Sequence, residues 1–540
     1  MKKIHLLGLS LLAGLLLSIG WPLKGLPFFL FFAFIPLFFI DDYLLKNRKD
    51  FARFSIFFFV FPAFMLFNLL VGYWVMNSTF GGGIGALTFN ASLMAITFTV
   101  YHISRRNLYG PEKGHFMLIF FWITFELFHL NWELSFPWLN IGNGFAMWHK
   151  WIQWYEFTGA LGGTFWVLLV NLLIYKFILR IKESKNFKRN DYIPAVTVLS
   201  VILIPIIISL FIYYQYEEKE NPIDIVIVQP NLDPYSEQYD LDPSTVIDRI
   251  ITLADEKMDT EVDFMICPES ANQETSMFEE RIEYYTSIHM LRNYMTQNFP
   301  SSKLIIGAST HQFANGIDTL DHAARKFSNG RGHYFAYNAA LYYEGFDPLQ
   351  IYHKSKLTPG VEMMPSWRIL RPLEKLAIDM GGTIGTLKTD DERKNFITKD
   401  KQKIGTIICY ESIYGEFTSK FVRNGAQAIF IITNDGWWGD SPGYKQHFSM
   451  AKMRAIETRR SIARSANTGI SAFINQRGDV IQQTDYWVKD VIRNKINLND
   501  ELTFYTKNGN YIARISVLIS VLFLLLSISL GIRNKGKLIK

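Results

Sequence analysis

Residues 403–415 read Lys-Ile-Gly-Thr-Ile-Ile-Cys-Tyr-Glu-Ser-Ile-Tyr-Gly. The fold prediction for the central part of the chain depends on where the apolar part of this stretch ends. The run 403–408 is short, apolar and bounded by polar residues, which predicts a buried β-strand. Cys409 follows at the end of that strand, where a rigid sheet can hold a side chain over a cleft. It is a candidate nucleophile, although a cysteine at a strand end is more often a small buried hydrophobic residue.

Two further polar residues stand at the ends of predicted strands. Glu269 follows the run 264–267 and a proline, and Lys354 closes the run 349–353. Covalent acyl transfer needs a nucleophile, a base that takes its proton, and groups that stabilise the oxyanion of the tetrahedral intermediate. Cys409 would be the nucleophile, Glu269 the general base and then general acid, and the Lys354 ammonium would face the oxyanion together with the backbone N–H after the nucleophile. Taken alone, Glu269 and Lys354 equally fit exposed charges or a structural ion pair.

The surrounding sequence alternates short strands with helical stretches, which predicts an α/β domain. The predicted strands are 223–228, 262–267, 303–309, 403–409 and 428–433, and the predicted helices are 243–257, 278–297 and 446–457. Two charged segments without apolar periodicity, 325–333 and 388–403, are predicted to be surface loops.

The chain as a whole is too apolar for a soluble protein of its size, because 49% of its 540 residues are hydrophobic and 16% are aromatic. A membrane span needs about 20 apolar residues, and eight runs are candidates, of which the second and fifth are short. They are 4–20, 26–40, 54–71, 84–101, 116–130, 161–179, 193–214 and 511–532. The first run would also fit a signal peptide, but no small-residue cleavage site follows it, so we interpret it as a retained span.

Basic residues lie in short clusters between the apolar runs, so membrane topology explains the net charge of +6 better than nucleic-acid binding does. Lys and Arg near span ends stay on the cytoplasmic side, and the clusters occupy alternate loops, which places all of them on one side with the N-terminus. We therefore predict a membrane domain of about seven spans over 1–216, an exported domain over 217–508, and a last span with a basic cytoplasmic tail over 509–540. The clusters are Lys46, Arg48 and Lys49; Arg105, Arg106 and Lys113; Arg180, Lys182, Lys185, Lys188 and Arg189; and Arg533, Lys535, Lys537 and Lys540.

Two features of the membrane part allow more than one interpretation. The exported loop 131–158 is rich in Trp and Gly, which is typical of an interfacial aromatic belt, and a lid or lipid-entry element is the alternative. Glu126 and His129 inside the short fifth run indicate a polar contact within the helix bundle or a position at the interface.

The cysteine content excludes two kinds of site. Only Cys267 and Cys409 occur, far apart and without C-x-x-C spacing, so neither a disulfide framework nor a zinc site is indicated. Cys267 is interpreted as a core residue.

Three strings, in this order and spacing, resemble the motifs of the nitrilase superfamily. They are Cys-Pro-Glu269-Ser-Ala, Tyr-His-Lys354-Ser-Lys-Leu-Thr-Pro and Ile-Cys409-Tyr-Glu-Ser-Ile-Tyr-Gly-Glu. Within that superfamily the apolipoprotein N-acyltransferases are the most similar family. The resemblance extends to seven spans before the domain and one after it, and to the stretches 228–231, 433–441, 446–448, 453–455 and 464–470.

The resemblance implies a fold, a mechanism and a location. The fold would be a multi-span helical membrane domain joined to an α/β domain built as an αββα sandwich, with a Glu269–Lys354–Cys409 triad. Cys409 would take an acyl chain from a phospholipid as a thioester and pass it to the α-amino group of the diacylglyceryl-cysteine of an apolipoprotein. The enzyme would lie in the bacterial inner membrane with its catalytic domain on the periplasmic side, and no metal, nucleotide or other cofactor is implied.

The resemblance also assigns supporting residues. Glu362 aligns with an acid that hydrogen-bonds and orients Lys354, the alternative being a surface carboxylate in a Pro/Gly loop. Tyr410, whose backbone N–H is the expected oxyanion donor, and Glu411 would shape the pocket beside the nucleophile. The chain has Lys356 where the family usually has His, which adds a second cation near the expected oxyanion site. It also has Gly360-Val361 for Phe-Gly and Cys267 for Trp, and the triad is intact.

Three alternatives remain. The same triad would serve a membrane-anchored amidase that uses water as its second nucleophile, although a simple anchor needs only one span. His447 could be the base in a Cys409–His447 dyad, because histidine is the commonest general base. A scaffold protein that binds lipoproteins without catalysis is the non-enzyme alternative, and loss of a triad residue would be its signature.

Overall fold

The computed structural model describes residues 2–21, 25–184, 191–363 and 386–538. They form two compact units, one of residues 1–76, 83–215 and 508–540, and the other of residues 77–82 and 216–507. Four of the basic residues used for the topology prediction, Lys185, Lys188, Arg189 and Lys540, lie outside the described residues.

The first unit is helical, as expected for a chain that must satisfy its backbone hydrogen bonds within lipid. Seven segments of the described chain are long and apolar enough to cross a membrane, and the fifth predicted span is the shorter helix Met117–His129. At a rise of about 1.5 Å per residue, that helix is shorter than a hydrocarbon core. The helices are α1 Lys3–Gly20, α2 Ile35–Lys46, α3 Ser55–Gly72, α4 Phe80–Leu108, α5 Met117–His129, the single turn α6 Tyr155–Thr158, α7 Ala160–Ser184 and α8 Tyr192–Gln215, and α14 Tyr511–Leu538 follows the second unit.

The Trp-rich loop packs largely inside the first unit. It contains the 3-10 helices Pro137–Leu139 and Ile141–Trp151, and the side chains of Trp138 and Phe145 are buried. Glu126 of α5 is also buried and accepts a hydrogen bond from the backbone N–H of Ile141 at 2.8 Å. The polar contact within the bundle is therefore confirmed. The middle of the loop is buried while Met147, Trp148 and Phe157 are exposed, so the aromatic belt and the lid or lipid-entry element both stay predictions.

The second unit contains thirteen strands and five helices in the described chain. The strands are β1 Pro222–Gln229, β2 Phe264–Ile266, β3 Lys303–Ala314, β4 Arg325–Lys326, β5 His333–Glu344, β6 Gln350–His353, β7 Phe396–Ile397, β8 Lys403–Ile408, β9 Ala428–Thr433, β10 Ile462–Ala466, β11 Ala472–Ile474, β12 Val480–Gln483 and β13 Asp490–Asn497. The helices are α9 Pro243–Ala254, α10 Thr286–Asn298, α11 Gly415–Arg423, α12 Pro442–Thr458 and α13 Phe504–Asn508.

The strands form two sheets that pack face to face. One has the order β13-β1-β2-β3-β5-β4 with β6 paired to β5, and the other has the order β12-β11-β10-β9-β8-β7. Phe264 of β2 meets Phe430 of β9 edge to face, with ring centroids 5.3 Å apart. Helices α9 and α10 pack their apolar faces on the first sheet, and α11 and α12 lie on the second. This arrangement is the expected αββα sandwich, and its central strands are buried over nearly their whole length because both faces of each sheet are covered.

The topology brings the predicted site residues to strand ends. In the first sheet β1, β2 and β3 run parallel, and in the second sheet β8, β9 and β10 run parallel. The carboxyl ends of parallel strands meet at one edge of a sheet, where open α/β sheets place their ligands. Glu269 follows β2 and Cys409 follows β8, so each lies at such an edge.

The prediction of one helix over 278–297 is wrong in its first part. Residues Glu279–Tyr284 form a 3-10 turn, and α10 begins only at Thr286. The Glu279 carboxylate accepts hydrogen bonds from two side chains of β3 at 2.6 Å each, which holds this segment against the sheet. The loop predictions are also partly wrong, because 325–333 contains β4 and 388–403 contains β7. The other predicted strands and helices are present with ends shifted by a few residues.

Candidate active site

Cys409 occupies a sharp turn at the end of β8. Its φ angle is 49°, in the left-handed region that costs a non-glycine residue about 1–2 kcal/mol, and a 3-10 turn, Cys409–Ile413, begins there. Ser412 Oγ donates to the Cys409 carbonyl at 2.8 Å, and the Ile408 N–H donates to Glu411 Oε2 at 2.8 Å. The surrounding hydrogen bonds therefore hold the nucleophile candidate in a conformation that a free chain would leave.

Lys354 is buried between two carboxylates. Its backbone N–H donates to the Asn338 carbonyl at 2.8 Å, which fixes the residue beside β5. Its Nζ lies 3.0 Å from Glu269 Oε1 and 2.8 Å from Glu362 Oε1. Burial alone would lower the pKa of the Lys354 ammonium, but the charges of Glu269 and Glu362 raise it well above its usual range. Lys354 is therefore a fixed cation suited to an electrostatic role.

Glu269 connects the edges of the two sheets. Its Oε1 accepts from Lys354 Nζ and from Asn338 Nδ2, at 3.0 and 2.8 Å. Its Oε2 accepts from the backbone N–H of Asn434, the residue after β9, at 3.0 Å. The carboxylate is therefore buried within a hydrogen-bonded site.

The thiol of Cys409 is subject to the charges of the other two triad residues. Burial raises the pKa of the Cys409 thiol well above its usual range, Glu269 raises it further, and Lys354 lowers it. The resting thiol is therefore protonated, and a base must remove its proton for attack. Glu269 is the carboxylate whose charge acts most strongly on the thiol.

Glu362 lies where the resemblance expected it, in hydrogen-bond contact with Lys354. Its Oε1 accepts from Lys354 Nζ at 2.8 Å and its Oε2 accepts from the backbone N–H of Thr358 at 2.8 Å. The side chain is only 14% exposed, so the interpretation as a surface carboxylate is wrong. Burial would raise the pKa of Glu362, but Lys354 lowers it, which keeps the carboxylate ionised.

Glu411 joins the ends of two strands on different sheets. Its Oε1 accepts from Tyr352 Oη at 2.7 Å and from the backbone N–H of Ser355 at 2.6 Å, while its Oε2 accepts from the N–H of Ile408 at 2.8 Å. Glu411 thus fixes the segment that carries Lys354, after β6, relative to the turn that carries Cys409, after β8. Tyr410 is buried with its ring 5.4 Å from that of Tyr414.

The His447 ring contacts the backbone carbonyl of Cys409. The ring Nε2 lies 2.8 Å from Ser412 Oγ and 3.2 Å from the Cys409 carbonyl oxygen, and Nδ1 lies 2.9 Å from Asp435 Oδ1. Both ring nitrogens are occupied by these partners, so the geometry does not favour the Cys409–His447 dyad. Lys356, the second cation expected near the oxyanion, places its Nζ 5.1 Å from the centre of the Tyr414 ring.

Two protein-family models match the chain. A family model described as carbon-nitrogen hydrolase matches residues 225–501, just over half of the chain and nearly all of the second unit. The chain belongs to the carbon-nitrogen hydrolase family. A second model, described as the apolipoprotein N-acyltransferase N-terminal domain, matches residues 13–173.

The similarity to individual relatives extends over almost the whole chain. An apolipoprotein N-acyltransferase of Chlorobaculum tepidum is 29% identical over 520 residues, which are 94% of this chain and 93% of that protein. One of Geobacter metallireducens is 25% identical over 527 residues, 94% of this chain and 92% of that protein. The crystal structure of Saccharomyces cerevisiae Nit3, a nitrilase-superfamily member, covers 51% of this chain and 90% of its own, with 16% identity and a TM-score of 0.35.

The sequence interpretation missed one polar residue in the site. Asn338, in the middle of β5, donates to both Glu269 and Glu362. A buried amide inside an otherwise aromatic and aliphatic strand was a usable signal, because buried polar groups require partners. Across the described residues, no group of three or more His, Cys, Asp or Glu side chains is placed to hold a metal ion.

Proposed function

We propose that this chain is an acyltransferase that moves an acyl chain from a phospholipid, through a thioester on Cys409, to the α-amino group of the diacylglyceryl-cysteine of an apolipoprotein. The observation that supports it best is the convergence of Glu269, Lys354 and Glu362 beside a cysteine in a strained turn. The matches to apolipoprotein N-acyltransferases over more than nine-tenths of the chain support lipoprotein N-acylation as the reaction.

In the first half-reaction Cys409 attacks the phospholipid ester. Glu269 takes the thiol proton as the sulfur bonds to the ester carbonyl carbon, and the oxygen of that carbonyl becomes the oxyanion. The Lys354 ammonium and the Tyr410 N–H stabilise this oxyanion. When the intermediate collapses, the ester C–O bond breaks and Glu269 returns the proton to the leaving alkoxide, which departs as lysophospholipid.

In the second half-reaction the apolipoprotein amine attacks the thioester. Glu269 takes a proton from the attacking nitrogen, a second oxyanion forms at the same place, and collapse breaks the C–S bond. The proton then returns to the Cys409 sulfur, so the enzyme is regenerated and an amide is formed. The base and the cation serve both steps, with Glu362 and Asn338 holding Lys354 and Glu269 in place.

The membrane unit distinguishes transfer from hydrolysis in this proposal. Both proposed substrates are lipids or lipid-anchored, so a bundle with seven span-length helices has a purpose that an amidase acting on soluble amides lacks. We place the catalytic domain, 217–508, on the periplasmic side of a bacterial inner membrane, between the membrane domain 1–216 and the last span and tail, 509–540. In that compartment glutathione does not keep thiols reduced. The chain has no second cysteine near Cys409 in sequence that could form a disulfide with it.

Mass spectrometry of the purified full-length protein tests the proposal. Wild type and Cys409→Ser are incubated with phospholipid and then with a diacylated lipopeptide. We expect a thioester at Cys409 of the wild type only, which disappears as the lipopeptide gains a third chain. An adduct that is released by water at the same rate with and without lipopeptide would favour the amidase, and no adduct in folded protein would favour the scaffold.

A further inference from the structure

His447 on α12 and Ser412 in the turn after the nucleophile contact the same carbonyl oxygen, that of Cys409. Ser412 Oγ donates to this oxygen at 2.8 Å, and His447 Nε2 lies 3.2 Å from it. Nε2 also lies 2.8 Å from Ser412 Oγ. A carbonyl oxygen has no hydrogen to give, so a hydrogen bond between Nε2 and the Cys409 carbonyl requires the tautomer of His447 that carries its proton on Nε2.

The opposite side of the His447 ring is fixed by a buried ion pair. Nδ1 lies 2.9 Å from Asp435 Oδ1 and 3.2 Å from Arg464 Nη2, and Arg464 Nη2 also donates to Asp435 Oδ2 at 2.6 Å. With the ring proton on Nε2, Nδ1 is the acceptor for Arg464. Burial alone would raise the pKa of Asp435, but Arg464 and then His447 lower it well below its usual range, so the side chain stays a carboxylate. The ring is thus held by Asp435, which follows β9, and by Arg464 of β10, and it presents Nε2 to the nucleophile turn.

Ser412, His447 and Asp435 follow one another in space as the residues of a serine hydrolase triad do, but they cannot work as one. Ser412 is 1% exposed and its hydroxyl hydrogen is used by the Cys409 carbonyl. A nucleophile must reach substrate, and this serine lies beneath the turn that presents the thiol. These three residues therefore do not replace Cys409 as the nucleophile. Ser412 and His447 contact its backbone carbonyl.

The peptide between Cys409 and Tyr410 connects the network to the reaction. A trans peptide is planar, so its C=O and N–H point in opposite directions, and holding the carbonyl sets the direction of the Tyr410 N–H. Hydrogen bonds accepted by the carbonyl also polarise the unit and strengthen its N–H as a donor. The φ of 49° at Cys409 makes such anchoring necessary, because the turn is not the conformation the residue prefers.

We propose that His447, oriented by Asp435, is a positioning residue for acyl transfer that acts through the Cys409 carbonyl on the Tyr410 N–H. The inference rests on the proposed function, in which that N–H stabilises the oxyanion of both half-reactions. His447 takes no proton from the thiol and touches no substrate in this role.

The test compares His447→Phe and His447→Gln in the full-length protein. Phe removes both ring nitrogens, whereas the Gln amide N–H can still reach the carbonyl. We expect His447→Phe to slow both thioester formation from phospholipid and transfer to the lipopeptide by about 10- to 100-fold, less than the loss of an oxyanion donor itself. The KM for phospholipid stays unchanged, and His447→Gln recovers most of the rate. Ser412→Ala produces a smaller loss of the same kind.

Alkylation of Cys409 by iodoacetamide separates this role from others. The displacement occurs at a saturated carbon and forms no oxyanion, so its rate in His447→Phe stays within about twofold of wild type. If alkylation slowed as much as acyl transfer, the proposal would be overturned. His447 would then act on the position or reactivity of the thiol itself. Equal rates for the Phe and Gln variants, or a raised KM with an unchanged maximal rate, would overturn it as well. His311→Phe, on β3, controls for general effects of the substitution.

An activated ester distinguishes failure of this inference from failure of the proposed function. p-Nitrophenyl butyrate acylates a cysteine through the same oxyanion whether or not phospholipid is the donor. If the wild type forms no adduct with phospholipid, the proposed function fails, and the ester burst still compares His447→Phe with wild type. An unchanged burst in that variant would overturn the role of His447 alone.

Discussion

Asn338 and Lys354 donate to the same two carboxylate oxygens. Asn338 Nδ2 lies 2.8 Å from Glu269 Oε1 and 2.9 Å from Glu362 Oε1, and Lys354 Nζ lies 3.0 and 2.8 Å from the same atoms. Two buried carboxylates repel each other unless donors lie between them. One cation and one neutral amide therefore lie between the two carboxylates and offset the repulsion between them.

Asn338→Asp replaces the neutral donor by a third carboxylate. A like charge beside a carboxylate raises its pKa, so we expect at least one acid of this variant's site to be protonated at neutral pH. Thioester formation should then fall by about 100-fold or more, because a protonated acid cannot act as the base. The rate is measured by mass spectrometry of Cys409 after exposure to phospholipid. Asn329→Asp, in the exposed turn before β5, is the matched control. Activity of Asn338→Asp close to wild type would contradict the shared-donor arrangement.

Glu269→Gln has opposite effects on two reactions of Cys409. The Glu269 charge raises the pKa of the thiol, and Lys354 lowers it, so removing the Glu269 charge lowers the thiol pKa. Below that pKa the thiolate fraction grows about tenfold for each unit by which the pKa falls. The pH profile of iodoacetamide alkylation should therefore shift to lower pH and the rate at neutral pH should rise. Acyl transfer should be lost, because the base is gone.

The combination of results is diagnostic for Glu269. A structural role alone would leave alkylation unchanged or slow it through disorder. Slower alkylation at every pH in a folded Glu269→Gln protein would contradict the electrostatic assignment. Cys267 is fully buried with a pKa raised by burial, so its failure to react in the same spectra reports that the fold is intact.

Glu411 substitutions should separate shape from charge. Its carboxylate accepts hydrogen bonds from Tyr352, Ser355 and Ile408, and burial raises its pKa despite those donors. Glu411→Gln resembles the protonated acid and keeps an acceptor, whereas Glu411→Ala leaves several buried donors without a partner, at about 1–3 kcal/mol each. We expect a larger fall in Tm for Ala than for Gln, with thioester formation falling in the same order. Equal Tm values for the two variants would contradict a bracing role.

The sequence predicted the parts of the site that depend on local patterns. Short apolar runs ending in Cys409, Lys354 and the Pro before Glu269 placed all three at strand ends, and the structure agrees. The roles of Glu362 and Glu411 came from family resemblance, because nothing in a Pro/Gly loop or a turn marks a carboxylate as buried. Asn338 was missed because its importance comes from two partners on other elements.

The contacts of His447 could not be predicted for the same physical reason. Its neighbours in sequence place it on a helix, but its role as proposed depends on where α12 lies relative to the turn after β8. That distance is set by the packing of α12 on the second sheet, and periodicity carries no information on it. The helix predicted over 278–297 failed likewise, since the contacts of Glu279 with β3 outweigh local helix propensity.

Gly307→Ala tests how closely the position of Glu269 is controlled. A β-carbon on Gly307, in β3, would lie 2.6 Å from both Glu269 Cα and Ser270 N and 2.7 Å from Pro268 O. These are backbone atoms, and Ser270 has a φ of 54°, so the turn has little freedom to move away. We expect a lowered Tm and a shift of Glu269, for which a displacement of about 1 Å can cost about 100-fold in rate.

The measurements are thioester formation and Cys409 alkylation in the same Gly307→Ala preparation. Thioester formation should fall while alkylation continues, because the thiol lies on the other sheet and its turn is held by Ser412 and Glu411. Gly85→Ala, where an added β-carbon meets open space, is the control. If Gly307→Ala is folded and forms the thioester at the wild-type rate, Glu269 does not need its observed position. The proton of Cys409 would then have to leave by another base, and the triad proposal would fall with it.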